Sequence, residues 1–150
     1  MKHSKLLTAA MGFAVAGLIS VSAQAAETNG YVVSNGMIFG SLSGAPGDAA
    51  NGKKIAINRK KGNCLACHEM PIPEQQFHGQ TGAPLDGVAD RLTEAEMRLR
   101  MVDAKQVNPD TMMPSFYTTN QHRVLKKFQG KTILSAQEIE DVIAYLKTIK

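Results

Sequence analysis

Five consecutive residues, Cys64-Leu65-Ala66-Cys67-His68, constrain the fold of this chain more than any other feature of its sequence. A Cys-x-x-Cys-His run is the attachment signature of a c-type haem. Two thiols one helical turn apart can each form a thioether with one of the two porphyrin vinyl groups. The histidine that follows is then held under the ring, where its imidazole can bind the iron axially. The motif therefore predicts one covalent haem c, attached by Cys64 and Cys67 and ligated by His68.

Three other uses of these residues compete with haem attachment. A redox-active Cys-x-x-Cys lies between a strand and a helix, and no strand pattern precedes Cys64. A disulfide across two intervening residues closes a small loop and stabilises little. A zinc site would enlist His78 and His122, whose spacing fits no familiar zinc pattern. With only two cysteines in the chain, haem attachment explains the motif best.

The second axial ligand of the iron must come from elsewhere in the chain. His/Met ligation is the cytochrome c pattern and raises the reduction potential, and Met112-Met113-Pro114 lies in a proline-containing stretch well beyond His68. We prefer Met113 because the following proline holds it extended and fixes the direction of its side chain. Met112 is the alternative; with Met113 as ligand, we expect Met112 to point the other way, into packing.

Other methionines and histidines have competing explanations. Met97 and Met101 stand at helical spacing and are expected to fill the core. His78 and His122 remain rival axial ligands. The imidazole of His68 should donate its other N–H to a backbone carbonyl, for which we expect the segment 82–85.

An iron with both axial positions filled has no open site, so the haem would move electrons rather than activate a substrate. We find no nucleophile–base pair, glycine-rich phosphate loop or carboxylate dyad with a recognisable signature, so no catalytic residue is assigned. The net charge of +4 falls short of the basic stripe of a nucleic-acid binder. A free electron shuttle and a haem-free dithiol oxidoreductase are the alternative functions.

Residues 1–25 have the pattern of a secretory signal peptide. Lys2 and Lys5 precede an apolar run at 6–21, and Ala23-Gln24-Ala25 is a small-x-small cleavage sequence. The alternative is an uncleaved anchor, because the run approaches the roughly 17–20 residues that span a membrane. We expect cleavage after Ala25, which removes two of the 17 basic residues and none of the 13 acidic ones. The mature chain then carries a net charge of +2, has no further membrane span and lies outside the cytoplasm.

The rest of the chain divides into an N-terminal arm and one domain. Residues 26–47 hold five glycines and several serines and are expected to form an extended arm along the domain or along a partner. Residues 48–150 form the domain. Long Pro- and Gly-rich loops at 70–87 and 106–119 need something to pack against, and a buried haem supplies it.

Helix signals in the domain predict an all-α fold. Asp48 can cap a first helix, Thr93 begins a capping box for a helix to about Val102, and Ser135 begins another. The last helix has apolar residues at helical spacing: Ile139, Val142, Ile143 and Leu146. No run alternates with period two, so we expect a small single domain of helices and long loops around one haem.

Several stretches resemble known cytochromes. Gly47-Asp48-Ala49, Gly52, the Cys-x-x-Cys-His run and Met113-Pro114 resemble a class I cytochrome c domain. The stretches 108–117 and 130–141 resemble the SoxX family, the monohaem subunits of SoxAX sulfur-oxidising complexes. Such cytochromes commonly have Gly-Pro-x-Leu where this chain has Gly82-Ala83-Pro84-Leu85, so the carbonyl that meets His68 is left open.

The resemblance implies a partner and a reaction. SoxX subunits pair with SoxA, another c-type cytochrome, in the bacterial periplasm. The complex, an L-cysteine S-thiosulfotransferase, joins thiosulfate oxidatively to a cysteine of the carrier protein SoxYZ. The reaction is thought to centre on the SoxA haem, and the SoxX haem takes the electrons onward to a downstream cytochrome. By position, the resemblance assigns Cys64 and Cys67 to haem attachment, and His68 and Met113 to the iron.

Overall fold

The computed structural model describes residues 30–120 and 124–150. The predicted signal peptide at 1–25 and His122 lie outside the described residues. Four α-helices form within the described part: α1 (Ala49–Ile57), α2 (Val88–Arg91), α3 (Glu94–Asp103) and α4 (Ala136–Leu146). Short 3-10 turns lie at Cys64–Ala66, Ala104–Gln106 and Lys126–Phe128. The described residues contain no sheet, and the predicted all-α fold class is confirmed.

The three helices predicted from capping signals begin where expected. Asp48 Oδ1 accepts hydrogen bonds from the N–H groups of Ala50 (2.9 Å) and Asn51 (3.3 Å) at the start of α1. Thr93 and Ser135 form complete capping boxes at α3 and α4. Each box satisfies amide donors that have no partner inside the helix.

The short helix α2 was not predicted from the sequence. It begins after Gly87, whose φ of +64° is a left-handed conformation that favours glycine. Tertiary contact holds it, since Ala89 N–H donates to the carbonyl of Ile149 at 3.0 Å. A helix of four residues is too short to show a hydrophobic period.

Helices α1 and α4 cross in close contact. A Cβ at Gly52 would overlap the carbonyl of Asp141, so only glycine permits this approach. The buried Asp141 carboxylate accepts hydrogen bonds from Asp48 N–H (2.8 Å), Asn51 Nδ2 (2.7 Å) and Gln137 Nε2 (2.9 Å). Burial raises the pKa of the Asp141 carboxyl, but these hydrogen bonds outweigh burial and lower the pKa below its usual value.

A buried ion pair joins α3 to α4. Arg98 Nε and Nη2 donate to the two carboxylate oxygens of Glu140 at 2.8 and 3.0 Å, and both side chains are at most 4% exposed. The pair also binds the N-terminal segment, because Arg98 Nη1 donates to the Ile38 carbonyl and Glu140 accepts from Leu42 N–H. The hydrogen bond to Glu140 raises the pKa of Arg98.

Residues 30–47 follow the surface of the domain and contribute to its core. Tyr31 and Ile38 are buried in the same hydrophobic cluster as the helices. Between them, Ser34 and Met37 exchange two backbone hydrogen bonds of 2.9 and 3.0 Å around Asn35 (φ 51°) and Gly36 (φ 72°). An Asn-Gly pair is among the strongest short hairpin signals in a sequence, because type I′ turns need positive φ at both residues. This turn was not predicted.

Candidate haem site

The Cys-x-x-Cys-His run folds into a tight helical turn. Asn63, with φ 48° and ψ 37°, reverses the chain and opens the 3-10 turn Cys64–Ala66. The Cys64 carbonyl accepts from both Cys67 N–H (3.1 Å) and His68 N–H (2.9 Å). The two cysteines therefore stand one turn apart with His68 directly after them, and both thiols are free.

Burial distinguishes the two thiols. It raises the pKa of the Cys64 thiol to about 11, while Cys67 is exposed. A reactive dithiol needs a thiolate stabilised by nearby positive charge or a helix N-terminus. Cys64 lies in the opposite environment, which disfavours the alternative of a dithiol oxidoreductase.

The loop at 79–85 lies directly on this turn. Gly79 N–H donates to the Leu65 carbonyl at 2.7 Å, and Gly82 N–H donates to the Cys67 carbonyl at 2.8 Å. A Cβ at Gly79 would overlap the Ala66 carbonyl, and one at Gly82 would lie within 2.9 Å of three atoms of the His68 ring. The role of Gly79 was not predicted from the sequence, because no local motif indicates it.

The His68 imidazole is oriented by this loop. Its Nδ1 lies 2.7 Å from the Ala83 carbonyl oxygen, so Nδ1 carries the proton and Nε2 keeps the lone pair that can bind a metal. The expectation that the segment 82–85 holds the imidazole is confirmed. The carbonyl that accepts from His68, which the sequence did not decide, is that of Ala83. Pro84 has no N–H and favours an extended conformation at Ala83.

The two adjacent methionines face different surroundings. Met112 is 77% exposed, so the prediction that its side chain points into packing is wrong. Met113 is partly buried and packs against the hydrophobic core. The loop that carries them is fastened to α3 and its end, because Lys105 Nζ donates to the Thr111 carbonyl (2.7 Å) and Phe116 N–H to that of Met101 (3.0 Å). A methionine that binds the haem iron should face inward, as Met113 does. That Met113 is the second axial ligand stays a prediction.

The other methionines and histidines considered as ligands have different surroundings in the structure. Met97 and Met101 are buried in the core, as predicted. His78 accepts from Met70 N–H through Nδ1 at 3.3 Å, and its buried Nε2 has no partner among the described residues. No group of three or more His, Cys, Asp or Glu side chains in residues 30–120 and 124–150 could hold a metal ion.

These residues fit a covalently bound haem. Two free thiols stand one turn apart, and the Ala83 carbonyl leaves His68 Nε2 as the ligating nitrogen. The missing side chain of Gly82 leaves room for the imidazole ring. Thioether formation and axial ligation require thiols and an imidazole in this order.

An all-α fold with a Cys-x-x-Cys-His turn and a histidine held by a following loop defines a class I cytochrome c fold. Residues 49–150 match the family model described as "Cytochrome c". The chain belongs to the cytochrome c family.

A solved structure is similar over most of the chain. It is the crystal structure of SoxXA from P. pantotrophus, one chain of which is 40% identical to this chain, with a TM-score of 0.73. The match covers 80% of this chain and 94% of that chain, and it confirms the resemblance to SoxX predicted from the sequence. No curated protein matched the sequence. Within residues 30–120 and 124–150, no helix has the length and apolar character needed to cross a membrane.

Proposed function

We propose that this protein is the electron-accepting monohaem subunit of a SoxAX-type complex in the bacterial periplasm. The similarity to a SoxXA chain over 80% of this chain and 94% of that chain carries the proposal. The matched region is longer than residues 49–150, which the cytochrome c family model covers. The similarity therefore extends beyond the general cytochrome c domain. Its partners would be a SoxA-type cytochrome, the SoxYZ carrier protein and a downstream acceptor cytochrome.

In this proposal one haem c is held by Cys64 and Cys67, with His68 and Met113 as axial ligands. When bound, the haem supplies reversible one-electron chemistry at iron. The chain orients His68 through the Ala83 carbonyl at 2.7 Å and packs the partly buried Met113 side chain against the core. Filled axial positions keep substrates off the iron, so the subunit would transfer electrons.

The reaction proposed for the complex explains why an electron acceptor is needed. Joining thiosulfate to a cysteine thiol of SoxYZ forms a sulfur–sulfur bond and breaks the thiol S–H bond, so one proton is released and two electrons must leave. The resemblance to SoxX implies that the bond would form at the partner subunit. This subunit would accept the electrons one at a time and pass them on.

Reconstitution tests the proposal directly. The chain and its cognate SoxA-type subunit are produced in the periplasm of a host that matures c-type cytochromes, and haem reduction is followed on adding thiosulfate and SoxYZ. We expect a pyridine haemochrome spectrum of one c-type haem per chain, and reduction of this haem only with both subunits present. A haem-free product would refute the haem assignment, and rapid reduction of this chain alone would favour a free shuttle.

A further inference from the structure

We infer that Val32 and Phe39 form a docking surface on which the partner cytochrome of the proposed complex sits. We define the docking surface by these two residues and the cleft they line. The inference rests on the proposed function, because it takes the partner from it. The surface belongs to the segment before α1 and includes none of the predicted haem residues.

The absence of charge distinguishes this segment. Residues 30–47 contain no Asp, Glu, Lys or Arg, although 20% of the chain is charged. The core of a protein interface is depleted in charge and enriched in aromatic residues. A solvated surface segment in a secreted domain has no comparable reason to avoid charge.

The segment has an inner and an outer side, both apolar. Tyr31 and Ile38 are 5% and 1% exposed, whereas their neighbours Val32 and Phe39 are 54% and 64% exposed. The inner residues account for attachment to the domain. The outer side chains, more than half exposed, present apolar area to solvent.

The outer side chains are presented on a held backbone. Ile38 N–H donates to the Ala95 carbonyl at 3.1 Å, and the Ile38 carbonyl accepts from Arg98 at 2.8 Å. Val32 and Phe39 line one cleft of about 370 Å³ whose eight lining residues are all uncharged. A preorganised surface loses little conformational freedom when a partner binds.

The comparisons point independently to this segment. The match to the SoxXA chain covers 80% of 150 residues, or about 120, whereas the family model covers the 102 residues of 49–150. At least about 18 matched residues therefore lie before Ala49. This chain and the matched SoxXA chain therefore share residues before Ala49. The cytochrome c family model does not include these residues.

The occupant is therefore a cytochrome subunit with a complementary apolar, uncharged surface. Association through such surfaces depends weakly on salt, since screening acts on charges. Docking by the exposed lysines of the domain would instead weaken as ionic strength rises.

Affinity measurements with matched variants test the docking surface. Phe39→Asp and Val32→Asp are compared with Phe77→Asp, which changes an 83% exposed phenylalanine in the cleft beside the Cys-x-x-Cys-His turn, the rival surface for a partner. Binding of each haem-loaded variant to the cognate SoxA-type subunit is measured at low and high salt. We expect Phe39→Asp to weaken binding at least about tenfold, as at an aromatic interface anchor, and Phe77→Asp by less than about twofold. Haem spectra and melting temperatures of the variants should match those of the wild type.

Each outcome bears on one proposal. Wild-type binding that Phe77→Asp weakens and Phe39→Asp does not would overturn the docking surface and leave the proposed function standing. A wild-type chain that binds no SoxA-type subunit would instead overturn the proposed function. Self-association of the wild type that Phe39→Asp abolishes, without a change in partner binding, would overturn the inference by making a second copy the occupant.

Discussion

At the scale of single residues, the site depends on groups that leave room for His68 as much as on those that hold it. The Ala83 carbonyl accepts from Nδ1, and Gly82 lies against the ring where a Cβ would overlap it. A misplaced imidazole would bind iron at a poorer angle. The orientation of His68 is thus determined by a loop 14 to 15 residues further along the chain.

The variant Gly82→Ala should disturb the haem site without unfolding the domain. Its Cβ would lie 2.5 Å from His68 Cε1, so the imidazole must shift. We expect a lower haem content per chain and a changed reduction potential, measured by pyridine haemochrome assay and redox titration. Gly40→Ala is the matched control, because a Cβ there meets nothing within 4 Å. Equal spectra and potentials for both variants would contradict this account.

Replacing each adjacent methionine tests the sixth ligand. Met113→Ala should abolish the weak near-infrared band of methionine–iron charge transfer, since Met113 packs inward. Met112→Ala should keep the band, since Met112 is 77% exposed. The reverse result would make Met112 the ligand, and absence of the band in the wild type would favour bis-His ligation through a residue such as His78.

At the scale of helices, the contact between α1 and α4 joins the beginning of the domain to its end. Gly52 permits the close approach, and Asp141 binds the first turn of α1 through Asp48 N–H and Asn51 Nδ2. A buried carboxylate that accepts three hydrogen bonds holds the two helices in one register. Because α1 leads directly to the Cys-x-x-Cys-His turn, this contact also positions the site.

Acid should weaken this contact. The folded pKa of Asp141 lies below its usual value, so its contribution to stability is present above the unfolded pKa of about 3.9 and is lost as pH falls through the lower folded pKa. Asp141→Asn should reduce stability at neutral pH by about 1–3 kcal/mol and make the loss below about pH 4 less steep. Urea unfolding of the haem-loaded protein across pH measures both effects. The exposed Asp86→Asn is the control, and an unchanged acid slope in Asp141→Asn would contradict the assignment.

At the scale of the whole molecule, one buried ion pair binds three parts of the chain. Arg98 on α3 and Glu140 on α4 pair with each other, and together they bind the backbone of Ile38 and Leu42. Two charges removed from water require such complete hydrogen bonding to be tolerated. The segment before α1 is therefore attached to the domain by the same network that joins the helices.

Removing one charge of this pair should be costly. Glu140→Gln keeps the shape but leaves the half-exposed Glu94 carboxylate, 3.0 Å from Arg98 Nη2, as the remaining charged partner of Arg98, and we expect a loss of about 3 kcal/mol in the free energy of unfolding. Glu74→Gln breaks the exposed pair with Lys53 and should cost less than about 1 kcal/mol. Chemical denaturation measures both, and similar losses for the two variants would refute a special role for the buried pair.

Much of the candidate site could be predicted because its signals are local. The Cys-x-x-Cys-His run is a helical turn whose ligand order follows from adjacent residues, and each capping box lies within four residues. The preference for Met113 over Met112 rested on the adjacent proline, and the structure turns Met113 toward the core. Helix α2 escaped prediction because a distant carbonyl, that of Ile149, holds it.

By itself, the sequence determined the haem attachment motif, the three capped helices, the all-α class and the family resemblance, since each depends on residues close together in the chain. Only the tertiary structure decided which carbonyl holds His68, why Gly79 and Gly82 lack side chains, and how Arg98 and Glu140 bind the N-terminal segment. These contacts join residues separated by up to 98 positions. The physical reason is that close packing and buried charge pairing depend on where the folded chain brings distant groups together.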